Sequence, residues 1–314
     1  MERMKRKITT QNKKRGILYW GRKQWQLYIM ILPAVLYLIL FVYKPMGGLV
    51  IAFQDYSLRK GIQGSEWVGF DNFFRLFRSY WFPVILKNTL SLSMLSLILG
   101  FPVPIIFALA ANEIGSESRK RFIQTISYAP HFISTVVVCG MLTVFMSPEN
   151  GIFNIILGKL GIEPIAFLQY PSMFKWVYVL SGIWQSFGWS AIIYIAALSG
   201  VDKSLIEAAR IDGANRMQII RYINFPVLIP TIVIMFILRS GQLLSVGYEK
   251  VYLLQNTANL SASEVISTYV YKVGMGQADF GFSTATGLFN NVVNCIILVI
   301  VNRFSKKVSG SGLF

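Results

Sequence analysis

Charged residues are scarce in this sequence. They make up 14% of its 314 residues, whereas hydrophobic residues make up 54%. A soluble domain usually carries about 25% charged residues, so this chain has too few to cover a surface that faces water. The same abundance of apolar residues excludes a disordered chain. The composition therefore indicates an integral membrane protein.

Cysteine and histidine are nearly absent, which excludes two further classes of protein. Cys139 and Cys295 both lie in apolar runs, where we interpret them as small buried hydrophobic residues and not as a disulfide framework. A site built from several histidine ligands is excluded because His131 is the single histidine. We therefore predict no metal site in this chain.

Long uncharged runs predict the membrane topology. A helix needs about 20 apolar residues to cross a hydrocarbon core of about 30 Å. Six runs reach this length, which predicts an all-α integral membrane protein with six transmembrane helices. The predicted spans are residues 25–44, 88–112, 122–147, 176–199, 223–246 and 281–302.

The distribution of lysine and arginine predicts the orientation of these spans. Cytoplasmic segments are enriched in both residues, and an even number of spans places both ends of the chain on one side. Most of the 30 basic residues lie in the tail 1–24, the second and fourth connections and the tail 303–314. We therefore predict that both termini are cytoplasmic. The net charge of +16 then faces anionic lipid headgroups, and we expect no nucleic-acid partner.

Two longer connections fall on the external side. Segment 44–87 contains Asp71-Asn72-Phe73-Phe74-Arg75-Leu76-Phe77, a mixture of aromatic and charged residues just before a span. Such a mixture favours a helix that lies in the membrane interface, and a docking surface for an external partner is the alternative. The chemistry of loop 249–279 is not diagnostic.

The fourth connection, 202–222, has the composition of two short helices. Asp202 or Ser204 suits the start of the first helix, and Gly213 permits the backbone angles of a turn between the two. Ala208 and Ala209 give the first helix a nearly flat surface that another protein could approach closely. The residues alone leave open whether this segment binds a partner or is a solvated amphipathic connector.

The same connection carries a recognisable pattern. Glu207-Ala208-Ala209, three residues, Gly213, nine residues and Ile223-Asn224-Phe225-Pro226 resembles the EAA motif of binding-protein-dependent ABC importer permeases. Phe225 departs from it, since leucine is usual there. Outside the motif, the chain is similar to sugar-importer permeases of the maltose type, in the subgroup for polysaccharides and oligosaccharides. The stretches that carry this similarity are 68–73, 247–254 and 265–271.

The resemblance implies a type I ABC importer permease in the bacterial cell membrane. Such a chain forms half of the transmembrane path for a carbohydrate, here an oligosaccharide, and a second homologous permease forms the other half. An external solute-binding protein delivers the sugar, and two cytoplasmic ATPase subunits bind ATP and Mg²⁺ and drive transport. The motif assigns the contact with the ATPase to Glu207, Ala208, Ala209 and Gly213. This chain is then not an enzyme and binds no cofactor, in keeping with its lack of the pattern Gly-x-x-x-x-Gly-Lys-Ser/Thr.

Polar residues in two predicted spans are candidates for the substrate path. Arg239 is charged within the fifth predicted span, where an unpaired charge costs several kcal/mol, and Gln242 follows one turn later. In the fourth span, Gln185, Ser186 and Trp189 combine an amide, a hydroxyl and an aromatic ring, which suits a sugar. The maltose-type resemblance supports the same five residues. Helix–helix packing is the alternative role for all of them.

Two other classes of function compete with an importer permease. A secondary, ion-coupled solute carrier generally places acidic groups within the membrane, whereas all 14 acidic residues lie outside the predicted spans. A membrane enzyme requires clustered carboxylates or histidines, and Asp202, Glu207 and Asp212 are the nearest approach to such a cluster. The sequence favours the permease because the EAA-like motif explains those three acids.

Overall fold

The computed structural model describes residues 25–310 and 312–313, and most of these residues are helical. The predicted N-terminal tail, 1–24, lies outside the described residues. In the described part, the α-helices are Trp25–Leu38, Lys44–Met46, Gly61–Gly64, Asp71–Arg78, Trp81–Gly100, Pro102–Asn112, Glu117–Tyr128, Thr135–Phe145, Ile152–Lys159, Pro171–Leu198, Lys203–Ile211, Arg216–Ile219, Phe225–Ser240, Tyr248–Leu254, Leu260–Ser263, Ile266–Tyr271 and Phe280–Ser309.

Shorter elements connect these helices. Three wide, π-type turns cover Ile39–Tyr43, Ile220–Asn224 and Lys272–Gly276, and two 3₁₀ turns cover Gly47–Phe53 and Ala129–Phe132. Two two-residue strands, β1 (Gln54–Asp55) and β2 (Glu66–Trp67), pair antiparallel with Gln54 opposite Trp67.

The helices join into membrane spans. Within residues 25–310, five continuous helical stretches are long and apolar enough to cross a membrane. A sixth is a pair of helices, Glu117–Phe132 and Thr135–Phe145, bent by 93° at a short break. The predicted all-helical membrane fold with six spans is confirmed when this bent pair counts as the third span. The continuous spans are Trp25–Phe53, Trp81–Asn112, Pro171–Leu198, Arg216–Ser240 and Phe280–Ser309.

The break in the third span is the main difference from the sequence prediction, which has one helix over 122–147. Pro130 has no N–H to donate and cannot continue the first helix, and a 3₁₀ turn ends it at Phe132. Ser134 then starts the second helix, because its hydroxyl accepts a hydrogen bond from the N–H of Val137 at 3.4 Å. Apolar content alone does not reveal such a bend.

Two span boundaries also differ from the sequence prediction. The second span begins at Trp81, so it includes Lys87, which lies before the predicted start at residue 88. The fifth span ends at Ser240, although the predicted span continues to 246. The chain turns there because Gly241 lies against Leu298 of the sixth span, where an added Cβ would come within 2.5 Å of Leu298 Cδ1.

Prolines explain two of the wide turns. The N–H of Lys44 bonds to the carbonyl of Ile39, and the N–H of Phe225 bonds to that of Ile220, so both bonds span five residues. Each donor stands immediately before a proline, Pro45 or Pro226. A wider turn relieves the clash between a proline ring and the carbonyl four residues earlier. The prolines are therefore accommodated within longer helical stretches.

The fourth span, Pro171–Leu198, is the centre of the fold. It packs against both helices of the second span, against the fifth span and against the first half of the bent third span. Its contact with the third span is close at Gly188, where an added Cβ would lie 2.1 Å from the carbonyl oxygen of Ser127. One shared core consists of Ile105, Ala108, Ala191, Tyr194, Leu198 and Leu228.

The predicted interfacial segment forms the helix Asp71–Arg78, which packs against the sixth span. The Arg75 guanidinium forms an ion pair with Asp279 at 2.8 Å and lies 5.0 Å from the ring centre of Phe282. Phe74 and Phe77 remain exposed. A place in the membrane interface and a docking surface for an external partner both stay predictions for this helix.

Candidate functional site

The motif-bearing connection forms a short helix, Lys203–Ile211. Asp202 begins it, because its carboxylate accepts a hydrogen bond from the N–H of Ser204 at 2.9 Å. That bond also holds the pKa of Asp202 below its usual value, since hydrogen bonding favours the ionised carboxylate. The start of the helix is thus capped as its sequence predicts.

Gly213 makes the turn that follows this helix. Its φ of +83° lies in the left-handed region, which glycine adopts without the penalty of a side chain. Asn215 then starts the helix Arg216–Ile219 with a reciprocal pair of bonds: its carbonyl oxygen accepts from the N–H of Gln218, and its own N–H donates to the Gln218 side chain. The predicted arrangement of two short helices about Gly213 is confirmed.

The surface of this segment is unusually apolar for a connection. None of the residues in Lys203–Ile211 is buried within the described chain. Ile211 is 87% exposed and Met217 is 68% exposed, and Leu205 on the same helix is also exposed. Glu207 and Ala208 are exposed as well, while Ala209 is partly buried. Apolar side chains grouped on one surface are typical of a protein contact.

A cavity lies between the second, fourth and fifth spans. Its volume of about 370 Å³ falls within the range of about 300–1,000 Å³ that is typical of sites for small molecules. The second span contributes Ser93 and Ser96, and the fourth contributes residues between Tyr178 and Tyr194. The remaining wall is the end of the fifth span and the turn after it.

Four of the five predicted substrate-path residues line this cavity: Gln185, Ser186, Arg239 and Gln242. Trp189 lies outside the lining and instead stacks on His131, with ring centres 4.6 Å apart and planes at 6°. Its predicted contact with substrate therefore has no basis in this cavity. Sequence spacing placed Trp189 one turn from Gln185, but the bent third span covers that part of the fourth span.

Gln185 and Ser186 both use a hydrogen-bond donor within the protein. The amide of Gln185 donates to the carbonyl of Ile133 at 2.9 Å, at the break of the third span. The hydroxyl of Ser186 donates to the carbonyl of Gly182 at 2.7 Å. Gln185 thus joins the cavity wall to the bend, which combines the substrate-path and packing roles that the sequence left open.

Gln242 lies in a turn and not on the helix face that the sequence predicts. Asn294 of the sixth span holds this turn: its carbonyl oxygen accepts from the N–H of Leu244 at 2.9 Å, and its amide donates to the Ser245 hydroxyl at 2.9 Å. Arg239 is the last residue but one of the preceding helix. The turn brings both side chains to the cavity.

Lys250 also lines the cavity, and the sequence prediction missed it. It belongs to the helix Tyr248–Leu254, within the segment 249–279 that is predicted to be an external loop. In the structure this helix packs against the second half of the third span and against the fourth span, so Lys250 is only 8% exposed. Its place directly after the fifth span in a stretch rich in apolar and aromatic residues was the available signal.

Comparison with known proteins agrees with this geometry. The family described as "Binding-protein-dependent transport system inner membrane component" matches residues 100–310. The chain is 43% identical over 307 residues to the polygalacturonan/rhamnogalacturonan transport system permease protein YteP of Bacillus subtilis (strain 168). That alignment covers 98% of this chain and 96% of YteP.

Two solved structures share the fold. One is a bacterial ABC transporter involved in the import of the acidic polysaccharide alginate, with a TM-score of 0.85 and 40% identity, covering 92% of this chain and 98% of that chain. The other is a bacterial alginate ABC transporter in complex with an alginate pentasaccharide-bound periplasmic protein. It has a TM-score of 0.86 and 39% identity, covering 95% of this chain and 99% of that chain. The present chain therefore belongs to the family of inner membrane components of binding-protein-dependent transport systems, and it is a membrane-spanning ABC permease subunit and not an enzyme.

Proposed function

We propose that this permease forms one half of the path by which an oligosaccharide enters a bacterial cell across the cytoplasmic membrane. A second, homologous permease supplies the other half, and an external solute-binding protein delivers the saccharide. Two separate ATPase subunits bind ATP and Mg²⁺ on the cytoplasmic side, where both termini of this chain lie. Names of the relatives support a saccharide cargo, because the related proteins carry polygalacturonan, rhamnogalacturonan or alginate in theirs.

The exposed apolar surface of the segment 202–222 is the observation that carries this proposal. A connection that faced only water would be expected to place polar groups outward, whereas Leu205, Ile211 and Met217 are all exposed here. A partner that covers these side chains removes their apolar area from water, which favours association. The helix Lys203–Ile211 is capped and ends at a fixed turn, so it can transmit a movement as a rigid element.

The chain links this surface to the cavity. After the turn at Gly213, the helix that starts at Arg216 runs without interruption to Ser240 and carries Arg239. At the same end, the amide of the buried Asn224 donates to the Glu113 carboxylate at 3.3 Å, which ties the fifth span to the end of the second. A displacement imposed by the ATPases would therefore reach the cavity wall through one continuous helix, as alternating access requires.

Ile211→Asp tests the proposed contact with the ATPase. The change places an ionised carboxylate where the partner would cover an apolar side chain, and burial of an unpaired charge costs several kcal/mol. We expect the ATPase to co-purify with the wild-type permease and its recovery with Ile211→Asp to fall at least about tenfold, which corresponds to about 1.4 kcal/mol.

The matched control is Ile211→Met, which keeps an apolar side chain of similar size and should retain the ATPase. Both variants must reach the membrane at wild-type levels, as checked by quantitative blotting. Equal recovery of the ATPase with Ile211→Asp and with Ile211→Met would contradict the proposed contact.

A further inference from the structure

The cavity is positively charged. Arg239 and Lys250 both line it, and none of its lining residues is aspartate or glutamate. Among the described residues, neither cation forms an ion pair; the ion pairs found there join Arg75 to Asp279 and Lys272 to Glu264. Two like charges that share a cavity without a counterion favour an anion from outside the protein.

The ammonium of Lys250 is the more informative of the two. It is buried, and within the part of the chain that the structure describes it has no hydrogen-bond partner. Its one close interaction is with the ring of Tyr178, whose centre lies 5.2 Å away. A cation–π contact of this kind leaves all three N–H donors free. Buried charged groups are normally paired and hydrogen-bonded, so the missing partner requires an explanation.

The backbone near Lys250 brings the ammonium to the substrate side of the fourth span. A Cβ added to Gly182 would lie 3.4 Å from Lys250 Nζ, so the absence of a side chain at this glycine leaves the ammonium room beside the helix. Gly182 itself lines the cavity, one turn before Gln185 and Ser186. The cation, the amide and the hydroxyl therefore face one volume.

We propose that Lys250 and Arg239 bind a negatively charged group of the transported saccharide, so that the cargo is an acidic oligosaccharide. This inference rests on the proposed function, in which the cavity belongs to a carbohydrate path. The Lys250 ammonium would bind a carboxylate of the sugar at the closed end of the cavity, and the exposed Arg239 guanidinium would contact the same or a neighbouring acidic unit. Ser93, Ser96 and Gln242 offer polar groups for the hydroxyls.

The test compares a charged saccharide with its neutral counterpart. Trigalacturonate and its methyl ester have almost the same shape but differ in charge, so their relative affinity reports recognition of the carboxylate. Binding is measured by saturation-transfer NMR on the importer complex in nanodiscs of zwitterionic lipid, without the binding protein, whose own selectivity would otherwise dominate. We expect at least about tenfold tighter binding of the acid, and we expect Lys250→Met to bring this ratio close to one.

Lys87→Met is the control variant. It removes a lysine from the second span that is exposed and does not line the cavity, so it should keep the wild-type preference for the acid. A wild-type complex that binds acid and ester equally would overturn the assignment of an acidic cargo and leave the carbohydrate path intact. A complex that binds neither compound would overturn the carbohydrate path through this cavity as well. An unchanged preference in Lys250→Met would overturn the role of Lys250.

The pH dependence of the preference tests the same residue. Burial lowers the pKa of Lys250 to about 8, so its charge is present at pH 7 and is lost as the pH rises through about 8. The groups that face it are Tyr178 on the fourth span, Cys139 on the third span and Arg239, and Glu249 is its neighbour in the chain. Sugar carboxylates stay ionised throughout this range, as protein carboxylates do.

We therefore expect the wild-type preference for trigalacturonate to weaken between about pH 7 and about pH 9. Lys250→Arg, which keeps its charge above pH 12, should retain the preference at both values. A preference that is constant with pH in the wild-type complex would contradict the assignment to Lys250.

Discussion

Gly213→Asp is expected to uncouple saccharide uptake from ATP hydrolysis, with at least about a tenfold loss of uptake, while the permease still reaches the membrane. Gly213 has a φ of +83° and no atom within 4 Å of the position that a Cβ would occupy. An added side chain therefore meets nothing within the described part of this chain. Its effect must arise from the backbone conformation or from contact with a partner, where an unpaired carboxylate costs at least about 1.4 kcal/mol, or tenfold.

Gly213→Asn separates these two causes. Asparagine has nearly the shape of aspartate, and both residues tolerate the left-handed conformation better than other side chains do. Asparagine carries no charge, so we expect Gly213→Asn to retain most of the uptake. The measurements are sugar uptake and ATP hydrolysis in vesicles that contain equal amounts of each variant. Normal uptake by Gly213→Asp, or equal losses in the two variants, would contradict a coupling contact that excludes negative charge.

Gly188→Ala is expected to destabilise the membrane domain. The added Cβ would lie 2.1 Å from the carbonyl oxygen of Ser127, and that atom belongs to a helical backbone that cannot turn away as a flexible side chain can. Overpacking of this kind typically costs about 1–3 kcal/mol. The bond from Gln185 to Ile133 lies one turn away, so the change should also weaken the contact that holds the bend of the third span. Thermal unfolding of the purified permease should occur several degrees lower.

Gly140→Ala is the matched control for this substitution. Gly140 also lies within a span helix, in the second half of the third span, but no described atom comes within 4 Å of the position that its Cβ would occupy. Alanine there should leave the unfolding temperature unchanged or raise it, because alanine favours a helix over glycine by about 1 kcal/mol. Equal unfolding temperatures for the two variants would show that the third and fourth spans are not in close contact at Gly188.

The features that the sequence predicts well depend on neighbouring residues. The turn at Gly213 follows from local rules, because the residues that cap the two helices and the glycine between them act within a few positions. The spans follow from the length of apolar runs. The boundary of the fifth span does not, since Gly241 turns where Leu298 of a distant helix leaves it no room for a Cβ.

Residues of the cavity show where sequence reasoning fails. Arg239 stands out because a charge interrupts a long apolar run. Lys250 follows Glu249 in a stretch that resembles an external loop, and its burial arises from contacts with the third and fourth spans that no local pattern encodes. Trp189 shows the opposite error: its type suits a sugar, but the bend at Ile133 places His131 and Phe132 against its ring.

Site-specific photocross-linking at position 211 tests the central claim most directly. A benzophenone amino acid replaces Ile211 in the assembled importer, and the cross-linked partner is identified by mass spectrometry. A second probe at the exposed Tyr80, on the predicted external side, serves as the control. The account predicts that position 211 cross-links to a polypeptide that carries an ATP-binding Gly-x-x-x-x-Gly-Lys-Ser/Thr sequence and that position 80 does not. Cross-linking of position 211 to lipid alone, or of both positions to the same partner, would contradict it.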